Sequence, residues 1–307
     1  MTRRALLIVN RHARLGADQA DRAAALLRDA GLDVTEAAVE EGAGPSDAIR
    51  RRRAGMNLVV VGGGDGTLSA AAEGLLETGL PLGILPLGTA NDLARTLGIP
   101  TDLGAACRII ADGHMRTVDL GEVNGKHFFN AASLGLSVEI AQRLTKEAKG
   151  RWGVFAYLAT TISVLRHARP FSAEIRCGGD VHRVRTVQIT IGNGRYFGGG
   201  LTVAEDAAID DGELDIYSLE VDHWWQLLPL LPSMRSGTVG TWPRVRALKG
   251  REVEIIPKRR SRPINTDGEV TTATPAKFRV IPRAVSVFAP APVSSPISPT
   301  VPRAASW

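Results

Sequence analysis

"VVVGGGDGTLSAA", Val59 to Ala71, is a run of β-branched apolar residues that stops at three consecutive glycines and an acid. A continuous apolar run of this kind suits a strand buried on both faces of a parallel sheet. The small residues behind the glycines open a helix, so the junction is the carboxyl end of a strand feeding a helix. Helix N–H groups and the helix dipole favour an anion at such a place. Gly62, Gly63 and Gly64 permit a close backbone approach that side chains forbid. The string is neither G-x-G-x-x-G nor a Walker loop, because Thr67 and not lysine follows Gly66. Asp65 admits two readings. It caps a tight turn, or it reaches a phosphate through an intervening cation such as magnesium.

On either side the chain keeps a βαβ rhythm. "RALLIVN" from Arg4 reads as a buried strand, and Ala20, Ala23, Ala24 and Leu27 then recur at helical spacing up to a stop at Gly31. "LDVTEAAV" is strand-like, and Ser46 is a candidate cap for a short helix through Arg53, whose arginines read as a solvated face. "LGILPLGTANDLAR", Leu82 to Arg95, repeats the first junction as strand, Gly-Thr and a helix start carrying Asp92. Two neighbouring strand ends of this type form one cleft at the edge of a parallel sheet, although Asn91 or Asp92 also suits an N-cap. "DLGAACRIIADG" adds another amphipathic helix. Asp119, in "RTVDLGEV", is expected to end the next strand, which brings a third acid to the cleft. Such carboxylates repel one another unless a metal or basic groups offset them.

Beyond about Asp119 the rhythm changes. One helical stretch, Gly153 to Arg166, lies among strand candidates: "FSAEIRC", "RTVQITIGN", "ELDIYSLE", "EVEIIP", "KFRVIP" and "AVSVFAP". Successive strands without helices between them indicate an antiparallel β domain. The Pro/Ser-rich tail from Pro290 has a disordered composition. "HWWQLLPLLPSM", His223 to Met234, is read as core packing rather than bilayer contact.

At 307 residues, two domains are the better expectation. Two cysteines supply neither a disulfide framework nor a structural zinc site, which fits a reducing cytoplasm. The net charge of +5 favours anionic partners. Aromatics at 5% argue against a nucleic-acid-binding surface. No apolar stretch reaches the roughly 20 residues of a membrane span.

"GGGDGT" together with "PLGTANDLAR" resembles the diacylglycerol kinase catalytic domain, and the chain is most similar to the bacterial soluble lipid kinases of that superfamily. The likeness continues through "VDLGEVNGKHFFNAASLG", "IGNGRYFGGG", "AIDDGELDIY" and "NTDGEV", roughly Ala5 to Pro290 in order. It implies an N-terminal doubly wound, NAD kinase-like α/β domain and a C-terminal antiparallel β-sandwich domain, with the active site in the cleft between them. Residues 1–124 and about 284–290 would form the ATP-binding domain, 125–283 the lipid-substrate domain and 291–307 a tail. The resemblance assigns ATP contacts to Asn10, Gly63, Gly64, Asp65, Gly66, Thr67, Leu68, Ser69 and Thr89, with Asp65, Asp92 and Asp119 organising magnesium and the phosphates. The first loop, "NRHARLG", departs from the family's Asn-Pro pattern. Glu269 would be the general base, though "NTDGEV" is equally a hairpin turn. A structural magnesium would sit on Asp211 with backbone oxygens of Ala208 and Glu213, where another Asp-Gly turn is the plain alternative.

The activity so implied is phosphoryl transfer from ATP to a lipid hydroxyl at a membrane surface, by a cytoplasmic, peripherally associated enzyme. A homodimer is compatible with it, and no nucleic-acid partner is expected. An NAD kinase is the rival within the superfamily, but its Asn-Glu and Thr-Gly-Ser-Thr-Ala-Tyr-like stretches are missing here. A non-catalytic nucleotide- or lipid-binding regulator is the rival outside catalysis, and retention of Asp65, Thr89, Asp92 and Glu269 speaks against it.

Overall fold

Four parallel strands carry the amino-terminal unit: β1 (Arg4–Val9), β2 (Asp33–Ala37), β3 (Leu58–Gly63) and β4 (Leu82–Pro86), in the order β2-β1-β3-β4. The structure, a computed structural model, describes residues 2–9, 16–37, 44–140, 169–194, 196–197, 201–202, 208–227 and 242–291. The expected helix over Gly153–Arg166, the tail beyond residue 291, the loop opening at Asn10 and the stretch after Leu227 lie outside these residues. Every residue of β3 is buried, as its apolar run requires. Helices α1 (Gly16–Asp29), α2 (Pro45–Arg52), α3 (Asp65–Thr78), α4 (Asp92–Thr96) and α5 (Leu103–Asp112) cover the sheet. Strand order reverses between β1 and β3, and crevices at such points, beyond the strands' carboxyl ends, take ligands in this architecture. The glycine loop lies there.

Ser46 does not cap α2. Gly44 occupies that position, and Asp47 Oδ2 accepts its N–H at 3.2 Å. Ser46 is buried instead, donating to Ala70 O at 2.6 Å and accepting from Gly74 N at 2.9 Å, so it ties α2 to α3. Arg50 is more than a solvated side chain, since it pairs with Glu77 at 2.7 Å and Glu73 at 3.1 Å on α3.

The second unit adds β5 (Met115–Val123), β6 (Lys126–Phe128), β7 (Ala131–Gly135), β8 (Phe171–Cys177), β9 (Asp180–Thr186), β10 (Gln188–Gly192), β11 (Tyr196–Phe197), β12 (Leu201–Thr202) and β13 (Leu214–Leu219). It continues with β14 (Val245–Gly250), β15 (Glu252–Pro257), β16 (Pro263–Thr266), β17 (Glu269–Ala273) and β18 (Ala276–Phe288). "KFRVIP" and "AVSVFAP" are one strand, β18, whose register against β5 shifts between Ile281 and Val285. The first part of β18 pairs antiparallel with β15, and its far end pairs parallel with β4 through Val287 and Leu82. One sheet of ten strands therefore runs through both units.

A separate antiparallel sheet, β14-β13-β10-β7-β16-β17, packs against the β15-β8-β9 end of the first. Alternation along β8 places Phe171, Ala173, Ile175 and Cys177 inward. They meet Leu134, Ile189, Ile191, Leu214, Ile216 and Ile264 from the facing sheet, with Phe128 and Phe278 fully buried between the layers. Trp225 is not a core residue. It is 52% exposed and stacks on His223 with ring centroids 4.2 Å apart.

Candidate active site

The two strand-end loops meet backbone to backbone. A β-carbon on Gly88 would collide with Gly64, so glycine at both positions lets the β3–α3 and β4–α4 junctions pack directly against each other. Asn91 closes the second loop from a left-handed conformation (φ 51°), accepting from Gly88 N and donating to Gly88 O, each at 2.9 Å. Thr89 is exposed at that loop's tip. Asp92 is buried at the start of α4.

Asp65 is the first residue of α3, yet its carboxylate caps the next helix. It accepts from Asp92 N at 3.1 Å and Leu93 N at 3.0 Å, and from Asn130 Nδ2 at 3.2 Å. The capping reading holds in altered form: the acid at the start of α3 caps α4 rather than its own turn. Thr67 folds back over Gly63, and Leu68 points into the core, so Leu68 offers no side chain to a ligand. Arg95, near the end of α4, lies 5.9 Å from the ring of Tyr196.

Over the first turn of α3 stands the β16–β17 hairpin. Its turn passes through Asp267 (φ 46°) and Gly268 (φ 101°), and Asn265 Oδ1 accepts Gly268 N at 2.9 Å. Glu269 begins β17 and is exposed. A β-carbon on Gly66 would lie 2.9 Å from Glu269 Oε1, so this carboxylate hangs over the first turn of α3. Asp267 is turned inward, where burial pushes its carboxyl up to about 6 against the lowering effect of its hydrogen bonds with Ser69, Phe129, Ala131 and Asn130.

Asp119 is not at a strand end. It lies inside β5, almost wholly buried, because β5 runs on alongside β18. Its carboxylate accepts from Arg283 N at 2.6 Å, in the bulge of β18, and from Gly212 N at 2.7 Å. Asn193 Nδ2 donates to the backbone Asp119 O at 3.1 Å, Asn193 N donates to Asn130 O at 2.8 Å, and Asn130 reaches Asp65. Two asparagines thus link the backbone of Asp119 to Asp65.

Magnesium takes oxygen ligands and keeps waters. Asn130, which contacts Asp65, and Asn193, which contacts Asp119 O and Phe129 O, each keep a buried amide oxygen with no hydrogen-bond partner, a costly state that a cation or ordered water relieves. In the second unit, Asp211 Oδ1 accepts Glu213 N at 3.0 Å, and the Ala208 N–H bonds the same carboxylate. Desolvation pushes the Asp211 carboxyl above its ordinary value, the condition that a bound cation reverses. The carboxylate and amide oxygens are of the type magnesium takes, but the Ala208 and Glu213 groups seen at Asp211 are backbone N–H groups rather than the backbone oxygens expected. Among the described residues no three His, Cys, Asp or Glu side chains gather to hold a metal by themselves. Such an ion would therefore depend on carbonyl and amide oxygens, phosphates and water.

Asn10 lies outside the described residues. Sequence reasoning passed over Asn130, Asn193 and Asp267, although all three stand in quoted motifs. Asp267 was the most legible, two residues before Glu269.

The family model for the diacylglycerol kinase catalytic domain matches residues 4–123, and that for the YegS C-terminal NAD kinase beta sandwich-like domain matches residues 130–289. A "Probable lipid kinase YegS-like" of Pseudomonas syringae pv. syringae is 35% identical, over 78% of this chain and 77% of that protein. One of the same name from Pseudomonas aeruginosa is 32% identical over 97% and 98%. A "Diacylglycerol kinase" of Staphylococcus aureus is 28% identical over 86% and 84%. In fold, a diacylglycerol kinase crystal structure from Bacillus anthracis superposes with a TM-score of 0.72 at 23% identity, covering 94% of this chain and 97% of that one. With both halves matched in order, the chain belongs to the YegS-like lipid kinase family, enzymes built on the diacylglycerol kinase catalytic domain.

Proposed function

We propose that the protein transfers the γ-phosphoryl group of ATP to a hydroxyl of a membrane lipid, in the cleft between the glycine loops and the β16–β17 hairpin. The observation that carries this reading is the Glu269 carboxylate over Gly66. Among the described residues that carboxylate has no hydrogen bond or ion pair, and it faces the end of α3 where backbone N–H groups and the helix dipole favour phosphate. The lipid hydroxyl gives its proton to Glu269 as its oxygen bonds to the γ-phosphorus. The bond from that phosphorus to the β–γ bridging oxygen breaks, and ADP departs with the electron pair.

Positioning and charge neutralisation carry most of the rate in such transfers. Asp65 holds the start of α4, while Gly64 and Gly88 let the two loops close on one phosphate chain. Asp65, Asp92 and the orphaned amides of Asn130 and Asn193 would hold a phosphate-bound magnesium, and the Asp211 loop a structural one. When bound, magnesium supplies positive charge against the phosphates. Diacylglycerol, phosphatidylglycerol and sphingoid bases all present a suitable hydroxyl. Among the described residues no helix is long and apolar enough to cross a membrane. A chain of net charge +5 would therefore meet an anionic bilayer from the cytoplasm, reversibly and in a salt-sensitive way.

The test is to incubate the purified protein with γ-labelled ATP, magnesium and a total lipid extract, then identify the labelled product. A phosphorylated lipid is expected, and it disappears on chelation. Label found only in NADP, or only in inorganic phosphate, contradicts the reading. Vesicle sedimentation checks the surface. Binding should fall with salt and rise with anionic lipid content, and indifference to both contradicts it.

A further inference from the structure

Glu269 is exposed on a short hairpin, and something must hold it at one height above Gly66. We propose that Asp267 is the positioning residue for Glu269: its carboxylate buckles the hairpin turn onto α3 and the β6–β7 link, and so fixes the distance between the candidate base and the phosphate end of the helix. This rests on the reading of Glu269 as the base.

The geometry is unusually complete for a turn residue. Oδ2 of Asp267 accepts from Ser69 Oγ at 2.6 Å and Phe129 N at 2.7 Å. Oδ1 accepts from Asn130 N at 3.0 Å and Ala131 N at 3.1 Å. The Asp267 N–H in turn donates to Ala131 O at 3.0 Å. Four donors from two other chain segments therefore converge on one carboxylate, which an ionised acid can accept and an amide cannot. Ser69 stands one helical turn beyond Asp65 on α3, and Asn130, whose N–H enters this nest, also holds Asp65 through its side chain. The same few bonds thus set the glycine loop, α3 and the hairpin relative to one another.

A turn alone does not require this arrangement. The left-handed conformation at Asp267 suits asparagine as well as aspartate. Asp267→Asn therefore keeps the turn and replaces an acceptor oxygen with an NH2 group that faces donors. Ser69→Ala removes a single donor and leaves the three backbone N–H groups in place.

The experiment is steady-state kinetics on Asp267→Asn, Ser69→Ala, Glu269→Gln and the two double variants, with thermal melting to confirm folding. Displacing a reacting group by about 1 Å costs on the order of 10²-fold. Asp267→Asn should lower kcat by that order with the ATP KM unchanged, and Ser69→Ala by roughly a tenth of that factor, since one bond of four is lost. In the Glu269→Gln background neither substitution should lower kcat further, because a residue that acts through Glu269 has nothing left to position. Losses that multiply with Glu269→Gln, or single variants with wild-type kcat, overturn the proposal. If Asp267→Asn does not fold, the Ser69→Ala cycle decides by the same rule. A wild-type kcat in Glu269→Gln itself overturns the underlying reading of the base, an outcome separate from the failure of the buckle.

Discussion

The two acidic turns that face each other are built in opposite ways. In the β3–α3 loop, Asp65 spends its oxygens on the backbone of Asp92 and Leu93 and on Asn130. In the β16–β17 hairpin, Glu269 stands exposed over Gly66, and among the described residues its carboxylate makes no hydrogen bond or ion pair. An acid engaged by several donors is held in one place, which suits organising a loop and a metal-bound phosphate. An acid without partners can take up a proton without dismantling anything around it, which suits a base. The proposed function assigns organiser and base by this difference in geometry, with residue type held nearly constant.

Removing the organiser should have the larger effect. Asp65→Ala takes the acceptor from the start of α4 and the charge from the phosphate end of α3. Phosphoryl transfer should drop by roughly 10³-fold, the upper range for losing a preorganised electrostatic group. The melting temperature should fall too, because buried N–H groups left without acceptors cost about 1–3 kcal/mol. The proposed function thus gives the acid a structural and a chemical role, and an Asp65→Ala protein with wild-type turnover and unchanged melting would contradict both.

Disturbing the gap between the two turns should matter less. Gly66→Ala places a methyl group within 2.9 Å of Glu269 Oε1, the flexible end of a side chain that can swing away. Turnover should fall by about 10-fold, a partial misplacement of the base, with the melting temperature nearly unchanged. A Gly66→Ala enzyme with wild-type turnover would mean that Glu269 is not required at that height.

The smallest expected effect concerns pH and Asp267. Burial raises its carboxyl to about 6 in the folded protein, whereas an unfolded aspartate titrates near ~3.9. Between these values the native state binds the proton more tightly. This group's contribution to stability is therefore full below about pH 4 and lost as pH rises through about 6. Melting profiles of wild type and Asp267→Asn should differ in slope across that window, and parallel profiles would contradict the assigned burial.

Much of this was legible in the sequence because it depends on local pattern. The apolar run of β3 and its glycines mark a strand-to-helix junction wherever they occur, and the repeat at Leu82 marks its neighbour. Legibility failed where partners are distant. Ser69 and Asp267 are 198 positions apart, and the nest that Asp267 enters is made of backbone N–H groups, which carry no residue signature. Pro282 and Arg283 read as a break between two strands, but pairing with β5 carries β18 through the bulge. The strands β9, β14 and β17 mix polar and apolar residues without the strict apolar alternation by which β8 is recognised. Asp119 was legible as an important acid but misplaced along its strand. Its partners, Arg283 and Gly212, come from segments far along the chain.

The central claim is that Glu269 accepts the proton of the lipid hydroxyl across the cleft. Glu269→Gln keeps size and hydrogen bonding and removes proton acceptance. Steady-state kinetics with the identified lipid, beside an ATP-binding measurement on the same protein, test it most directly. The account predicts a kcat lower by roughly 10²-fold or more, the scale of general-base catalysis, with ATP affinity unchanged. A kcat near wild type would contradict it and leave Glu269 as a turn residue.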